Sequence, residues 1–243
     1  MLRATIWRDL RWRALAGLML VALPTAMVAA SYAMRASADG LVAESSYLAY
    51  LDASWFRSPG PSAVFVIAAI IVSASRSLLG PRNDLAYILA LPISRNRWLL
   101  SHMAASVAVL ASLIVVAHCI LVLGAVYGNI AVDIGSLALR MLAIFVAALA
   151  WIGVTSGILS IVRTPVIAVL LTLTLSVAVP GRRFQFQLPA QMSPVDLPYW
   201  DPWVFVDPRM WIEGVPVASI SMSAVLIAAG TMIALIRINR MDV

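Results

Sequence analysis

The chain has 243 residues, of which 63% are hydrophobic and 12% charged, and its mean hydropathy is +0.97. This composition leaves too little polar surface for a soluble globular protein of that size. All 17 basic residues are arginines, and the net charge is +6. Because these arginines flank apolar runs, as they do beside membrane helices, no nucleic-acid partner is expected. The single cysteine, Cys119, excludes an intramolecular disulfide.

The first residues predict a short helix at the membrane surface, over about 2–13. Leu2, Ile6 and Leu10 fall on one face of it, and neighbouring arginines would reach lipid phosphates. An ordinary basic flank fits equally well. A cleaved signal peptide ending near the A-x-A sequence at 36–38 is disfavoured, because the apolar stretch of 21 residues exceeds the roughly 7–15 of such peptides.

Apolar runs then predict six transmembrane helices, since about 20 helical residues cross a hydrocarbon core of about 30 Å. The fifth run is short and begins at Pro165, whose missing N–H is harmless in a first helical turn. We therefore expect an all-α polytopic membrane protein with one transmembrane domain over 1–243. The predicted spans cover 14–34, 60–76, 98–127, 141–162, 165–180 and 215–236.

The arginine distribution predicts that both termini are cytoplasmic. In that orientation the inner segments carry eleven arginines and three acidic residues, whereas the outer segments carry six arginines and eight acidic residues. An excess of arginine marks the cytoplasmic side of a membrane protein. The segment 77–97 is therefore predicted to lie in the cytoplasm.

Missing residue types narrow the function. All eleven carboxylates lie in predicted loops, tails or helix ends, whereas an ion-driven transporter usually keeps an ionisable group near mid-membrane. With no lysine, the chain contains neither a Walker A loop nor a Schiff-base lysine. We expect no catalytic residue, cofactor or metal site. Energy for uphill transport would have to come from another subunit.

The two histidines do not point to a shared metal. His102 and His118 lie about 160° apart around one predicted helix, so they face different sides. His118 and Cys119 are interpreted as a buried packing pair rather than a haem or metal contact.

Small residues predict close helix packing. Gly153 and Gly157 form a G-x-x-x-G pair, which lets helices approach closely in lipid. A serine lies between them, but no histidine follows it, so packing is favoured over an intramembrane protease site. A second set of small residues recurs every four positions, at Ala104, Ala108 and Ser112.

The segment 77–97 differs from an ordinary solvated loop. Gly80-Pro81 breaks the chain, Asn83 or Asp84 can cap a new helix, and Pro92 ends it. A stripe with i, i+3, i+4 spacing runs along this short helix, which suits a surface available to a partner. The stripe consists of Leu85, Ile88 and Leu89. Ser94 is predicted to cap the third span, with Arg95 and Arg97 at the membrane surface.

The sequence 91–95, Leu-Pro-Ile-Ser-Arg, resembles the ABC-2 type family of ABC transporter permeases. In that family a short coupling helix lies between the second and third spans, and a similar Leu-Pro-(Ile/Val)-Ser-Arg stretch follows it. Six spans with cytoplasmic termini and an N-terminal interfacial helix also match. One feature departs from the family: a glutamate and a Gly-Thr-like step often precede the coupling leucines, whereas here Asp84 follows Asn83.

The resemblance implies a bacterial inner-membrane permease subunit, most often an exporter. Its partners would be an ATP-binding cassette ATPase, a second permease copy (identical or related) and membrane lipid. ATP would be bound by the partner, with the turn at 163–165 as a smaller second contact. The residues implied to contact the ATPase are Asp84, Leu85, Ile88, Leu89, Arg95 and Arg97.

Other interpretations remain open at this point. They are a stand-alone secondary transporter or channel, an intramembrane enzyme, and a haem-exporter-like subunit in which His118 would matter. The outer segment 181–214 is rich in proline and aromatic residues. It fits either short re-entrant helices or a proline-stiffened loop on the membrane face.

Overall fold

The computed structural model describes residues 2–39, 44–51, 59–74, 94–162, 164–178 and 217–240. Within these ranges all regular secondary structure is α-helical, which confirms the all-α prediction for the described part of the chain. The helices are α1 (Leu2–Asp39), α2 (Glu44–Leu51), α3 (Pro59–Ser73), α4 (Arg95–Tyr127), α5 (Ile134–Val162), α6 (Pro165–Ala178) and α7 (Val217–Asn239).

Three described helices are long and apolar enough to cross a membrane, judged by length and composition. They are Leu10–Met34 within α1, α4 and α5. The three remaining predicted spans contain shorter apolar helical segments, Val64–Ser73, Pro165–Ser176 and Ser223–Asn239. Because a crossing needs about 20 residues, six crossings stay a prediction.

The first helix is longer than the predicted first span. It joins 2–13 and 14–34 into one helix of 38 residues. Ile6 and Leu10, predicted to face a membrane surface, are buried, with exposed fractions of 8% and 2%. They line a groove shared with α4. Packing against a helix removes this apolar face from water just as lipid would.

The fifth helix also begins earlier than predicted. It starts at Ile134, seven residues before the predicted span 141–162, so Arg140 lies within the helix. The helix accommodates Arg140 because its guanidinium donates to the carbonyl of Ser136, one turn back, at 3.2 Å. Asp133 caps the helix: its Oδ1 accepts the N–H groups of Gly135 and Ser136 at 3.0 and 3.2 Å.

Removing this cap should destabilise α5 in a pH-dependent way. Hydrogen bonds from the Ser136 hydroxyl and backbone hold the pKa of Asp133 below its ordinary value. The charged cap therefore stabilises the fold fully at neutral pH, and this contribution is lost as pH falls through the lowered pKa. We expect Asp133→Ala to lower Tm at pH 7, with a smaller difference from the native protein at acidic pH. Asp133→Asn is the control, since it keeps the accepting oxygen. An Asp133→Ala deficit that is equal at both pH values would contradict the role of the carboxylate.

The central helix of the bundle is α5, which packs against α3, α4, α6 and α7. Of its most apolar window, 56% is buried, against 22% in α1 and 28% in α4. Its buried hydroxyls donate to carbonyls of the preceding turn at 2.6–2.8 Å, so they are satisfied within the helix. These hydroxyls belong to Thr155, Ser156 and Ser160.

Helices α5 and α7 touch through their backbones. A Cβ on Gly153 would lie 2.7 Å from the Cα of Ile227, and a Cβ on Gly230 would overlap the carbonyl of Gly153. A Cβ on Gly157 would lie 3.1 Å from the Cα of Gly230. This crossing confirms the close approach predicted from the G-x-x-x-G pair. The residues of the other small-residue stripe are exposed on α4, and its first member borders a groove shared with α1. This stripe consists of Ala104, Ala108 and Ser112.

Helix α2, which the sequence analysis did not anticipate, fastens the end of α1 to α4. Tyr47 is fully buried, and its hydroxyl donates to the carbonyl of Leu121 in α4 at 2.9 Å. The ring centroid of Tyr32 lies 4.8 Å from that of Tyr47 and 4.9 Å from that of Tyr50. Burial, with the neighbouring tyrosines, raises the pKa of Tyr47 to about 12.

Candidate functional site

The structure describes two of the six predicted ATPase-contact residues, Arg95 and Arg97, in the first turn of α4. Ser94 precedes them with extended backbone angles (φ −61°, ψ 137°), and its hydroxyl accepts the N–H of Arg97 at 3.3 Å. This confirms the predicted cap of the third span. The other four predicted contact residues lie outside the described ranges: Asp84, Leu85, Ile88 and Leu89.

Arg95 turns back into the bundle. It is half-buried, and its Nη1 donates to the carbonyl of Ile238 at 3.3 Å. Ile238 lies in the last turn of α7, where carbonyls have no partner within the helix and carry the negative end of its dipole. The guanidinium of Arg95 therefore caps α7 from the start of α4. Contact of Arg95 and Arg97 with an ATPase stays a prediction.

A second arginine makes the same kind of contact. The Nη1 of Arg13, in α1, donates to the carbonyl of Val72 at 2.8 Å. Val72 lies in the last turn of α3. The hydroxyl of Ser106, in α4, lies 3.4 Å from the same carbonyl and 3.1 Å from the carbonyl of His102. Side chains of α1 and α4 thus meet at one carbonyl in the last turn of α3.

We call the contacts Arg13–Val72 and Arg95–Ile238 the two arginine clamps. They flank the segment 75–93. Two residues separate Val72 from the start of this segment, and one residue separates its end from Arg95. Both use a charged donor, which makes the stronger class of hydrogen bond. A displacement of either end of this segment would therefore reach α1 on one side and α7 on the other.

The first clamp was missed by sequence reasoning. Arg13 was counted only as part of a positive flank, and Ser106 was not singled out. Arg13 and Val72 are separated by 59 residues, so no local pattern indicates their contact. The only available signal was general: the last carbonyls of any buried helix end need donors.

Below the second clamp, the ring of Trp98 stacks on His102, with centroids 6.1 Å apart and an interplanar angle of 22°. Trp98 is 5% exposed and His102 is 1% exposed. His102 lies inside the bundle, two turns into α4.

His118 and Cys119 were predicted to form a buried packing pair, and this prediction is wrong. Cys119 is exposed, because neighbouring residues on a helix point about 100° apart. His118 is half-buried, and its Nδ1 makes no hydrogen bond. Within the described ranges, no three histidine, cysteine or acidic side chains group closely enough to hold a metal ion. The expectations of no catalytic residue, cofactor or metal stay predictions.

Comparison with known proteins returns no match to a protein-family model, a curated protein or a solved structure. The described residues therefore establish an architecture and not a protein family. It is an all-helical chain with three helices of the length and composition of membrane spans. Two arginine clamps border the segment for which the sequence predicts a partner.

Proposed function

We propose that the chain is the permease subunit of an ABC-2 type ABC transporter, a multi-pass protein of the bacterial inner membrane that works in export. The observation that carries the proposal is the sequence of features in 77–97. An apolar stripe is followed by Leu-Pro-Ile-Ser-Arg at 91–95 and then by α4, which Ser94 caps. Because the chain has no lysine for a Walker A loop, ATP hydrolysis belongs to a separate ATP-binding subunit.

The arginine clamps support cytoplasmic sidedness for this segment. Arg13 touches the end of α3, and Arg95 touches the end of α7. The start of α4 and the ends of α3 and α7 therefore lie at the same end of the bundle as the arginine-rich start of α1. Arg97, Arg237 and Arg240 lie at helix termini of this end too. An arginine-rich end is typical of the cytoplasmic side.

The clamps also suggest how movement would enter the bundle. Closure of the ATP-binding subunits would displace the segment 77–97, and the clamps would pass this displacement to α1 and α7. Since α7 meets α5 backbone to backbone, these two helices would move together. Alternating access would then open at the interface between two permease copies, with ATP turnover supplying the energy.

Co-expression with a candidate ATP-binding cassette protein, chosen from the genes that neighbour this one, tests the proposal. We expect the two proteins to purify as one complex and the ATP turnover of the ATP-binding protein to change on assembly. An unrelated six-span membrane protein carrying the same tag is the control. If the ATP-binding protein did not associate, and the purified chain alone moved solute against a gradient, the stand-alone transporter would be correct instead.

A further inference from the structure

A groove of about 440 Å³ lies between the first turns of α1 and α4. This volume falls within the roughly 300–1,000 Å³ of sites for small molecules. Its walls are mostly apolar, and it opens beside Trp7, whose side chain is 61% exposed. The lining residues are Ile6, Trp7 and Leu10 of α1, and Arg97, Ser101, Ala104 and Ala105 of α4.

Arg97 is the charged member of this lining. Its backbone N–H donates to Ser94, and its carbonyl accepts the hydroxyl of Ser101 at 2.7 Å. Its guanidinium makes no hydrogen bond or ion pair with another residue of the described ranges. Arg11, also exposed, lies one turn beyond Trp7 on α1, with its guanidinium 5.3 Å from the ring centroid of Trp12. The groove therefore combines the guanidinium of Arg97 with an apolar lining from α1 and α4.

We propose that this groove binds one acidic phospholipid from the membrane leaflet at this end of the bundle. The lipid phosphate would pair with the guanidinium of Arg97, and an acyl chain would lie along Ile6, Leu10 and Ala105. An amphiphile fits because the groove joins an unpaired cation to an apolar wall, and a negatively charged headgroup fits because the charged side chain of the lining, Arg97, is a cation. The proposal requires the chain to be a membrane protein but is independent of the ATPase assignment.

Native mass spectrometry of the purified full chain, mixed with phosphatidylglycerol or phosphatidylcholine of identical acyl chains, tests the proposal. We expect one phosphatidylglycerol to be retained in preference to phosphatidylcholine. Arg97→Gln should reduce this retention by roughly tenfold, the effect of losing a charge-assisted hydrogen bond. Ala104→Trp, which fills the groove without changing charge, should reduce it as well.

Arg237→Gln is the matched control, because Arg237 is an exposed arginine at the same end of the bundle but outside the groove. It should leave retention unchanged. Equal losses for Arg97→Gln and Arg237→Gln would overturn the site in favour of general surface charge. Equal retention of the two lipids, or no effect of Ala104→Trp, would also overturn it. None of these results depends on whether an ATP-binding subunit associates.

Discussion

Replacing Gly230 with alanine is expected to be one of the most destabilising single substitutions in the bundle. The new Cβ would overlap the carbonyl of Gly153 and lie 3.1 Å from the backbone nitrogen of Val154. Both neighbours are backbone atoms of the central helix, so no side chain can rotate away. Forcing an extra carbon into a packed site typically costs about 1–3 kcal/mol, and this rigid contact belongs at the upper end. The Tm of the purified protein, followed by helical circular dichroism, measures the effect.

Ala229→Leu provides the control for this substitution. Ala229 is the preceding residue of the same helix, but it is exposed, so a larger side chain there should leave Tm nearly unchanged. Gly157→Ala should fall between the two, since its Cβ would lie 3.1 Å from the Cα of Gly230. Equal melting of the Gly230→Ala and Ala229→Leu proteins would mean that α5 and α7 do not cross at these glycines.

The double substitution Leu85→Asp, Leu89→Asp is expected to abolish association with the proposed ATP-binding subunit. The two leucines lie on one stripe of the predicted coupling helix. An apolar cleft that receives this stripe would have to bury two unpaired carboxylates, and even one buried charge without a partner costs several kcal/mol. A loss of that size corresponds to at least a hundredfold weaker binding. Co-purification measured by quantitative immunoblotting should show it.

Tyr87→Asp, Ala90→Asp adds the same charge at positions that helical periodicity assigns to the opposite face of the segment. This control should retain most of the complex. Gel filtration of both proteins without the partner separates lost docking from misfolding. Complex formation that is insensitive to both double substitutions would show that the predicted stripe is not the docking surface.

Local signals in the sequence predicted several elements well. Ser94 caps α4 and Pro165 begins α6, because both act through their own backbone geometry within one turn. The glycine pair also acts locally, because two residues without side chains, one turn apart, let another helix approach closely. The sequence did not identify Gly230 as its partner, since that choice depends on how distant helices pack.

Helix borders and facing directions were predicted less well. Helix α5 extends beyond the predicted span and includes Arg140, whose guanidinium donates to a carbonyl one turn back. The exposure of Cys119 was missed because a membrane helix is apolar all round, so its pattern does not reveal which face is buried. Helix α2 left a fainter signal, the i, i+3, i+4 spacing of Tyr47, Tyr50 and Leu51.

The candidate site likewise has one part that the sequence predicted and one part that only the structure showed. The coupling stripe was predicted from spacing alone and lies outside the described residues, so it stays a prediction. The arginine clamps came only from the structure, because each joins residues at least 59 positions apart. The sequence indicated many arginines at one end of the chain's helices. Only packing decides which of them meets a helix end.

Site-specific photo-crosslinking tests most directly whether the proposed ATP-binding subunit docks on the segment 77–97. A benzophenone amino acid would replace Ile88 in the predicted coupling helix, and Phe205 in the predicted outer segment would be the comparison position. Irradiation of membranes that contain both proteins should join position 88, and not position 205, to the ATP-binding subunit. A cross-link from position 205 with none from position 88 would contradict both the predicted orientation and the predicted route of energy into the bundle.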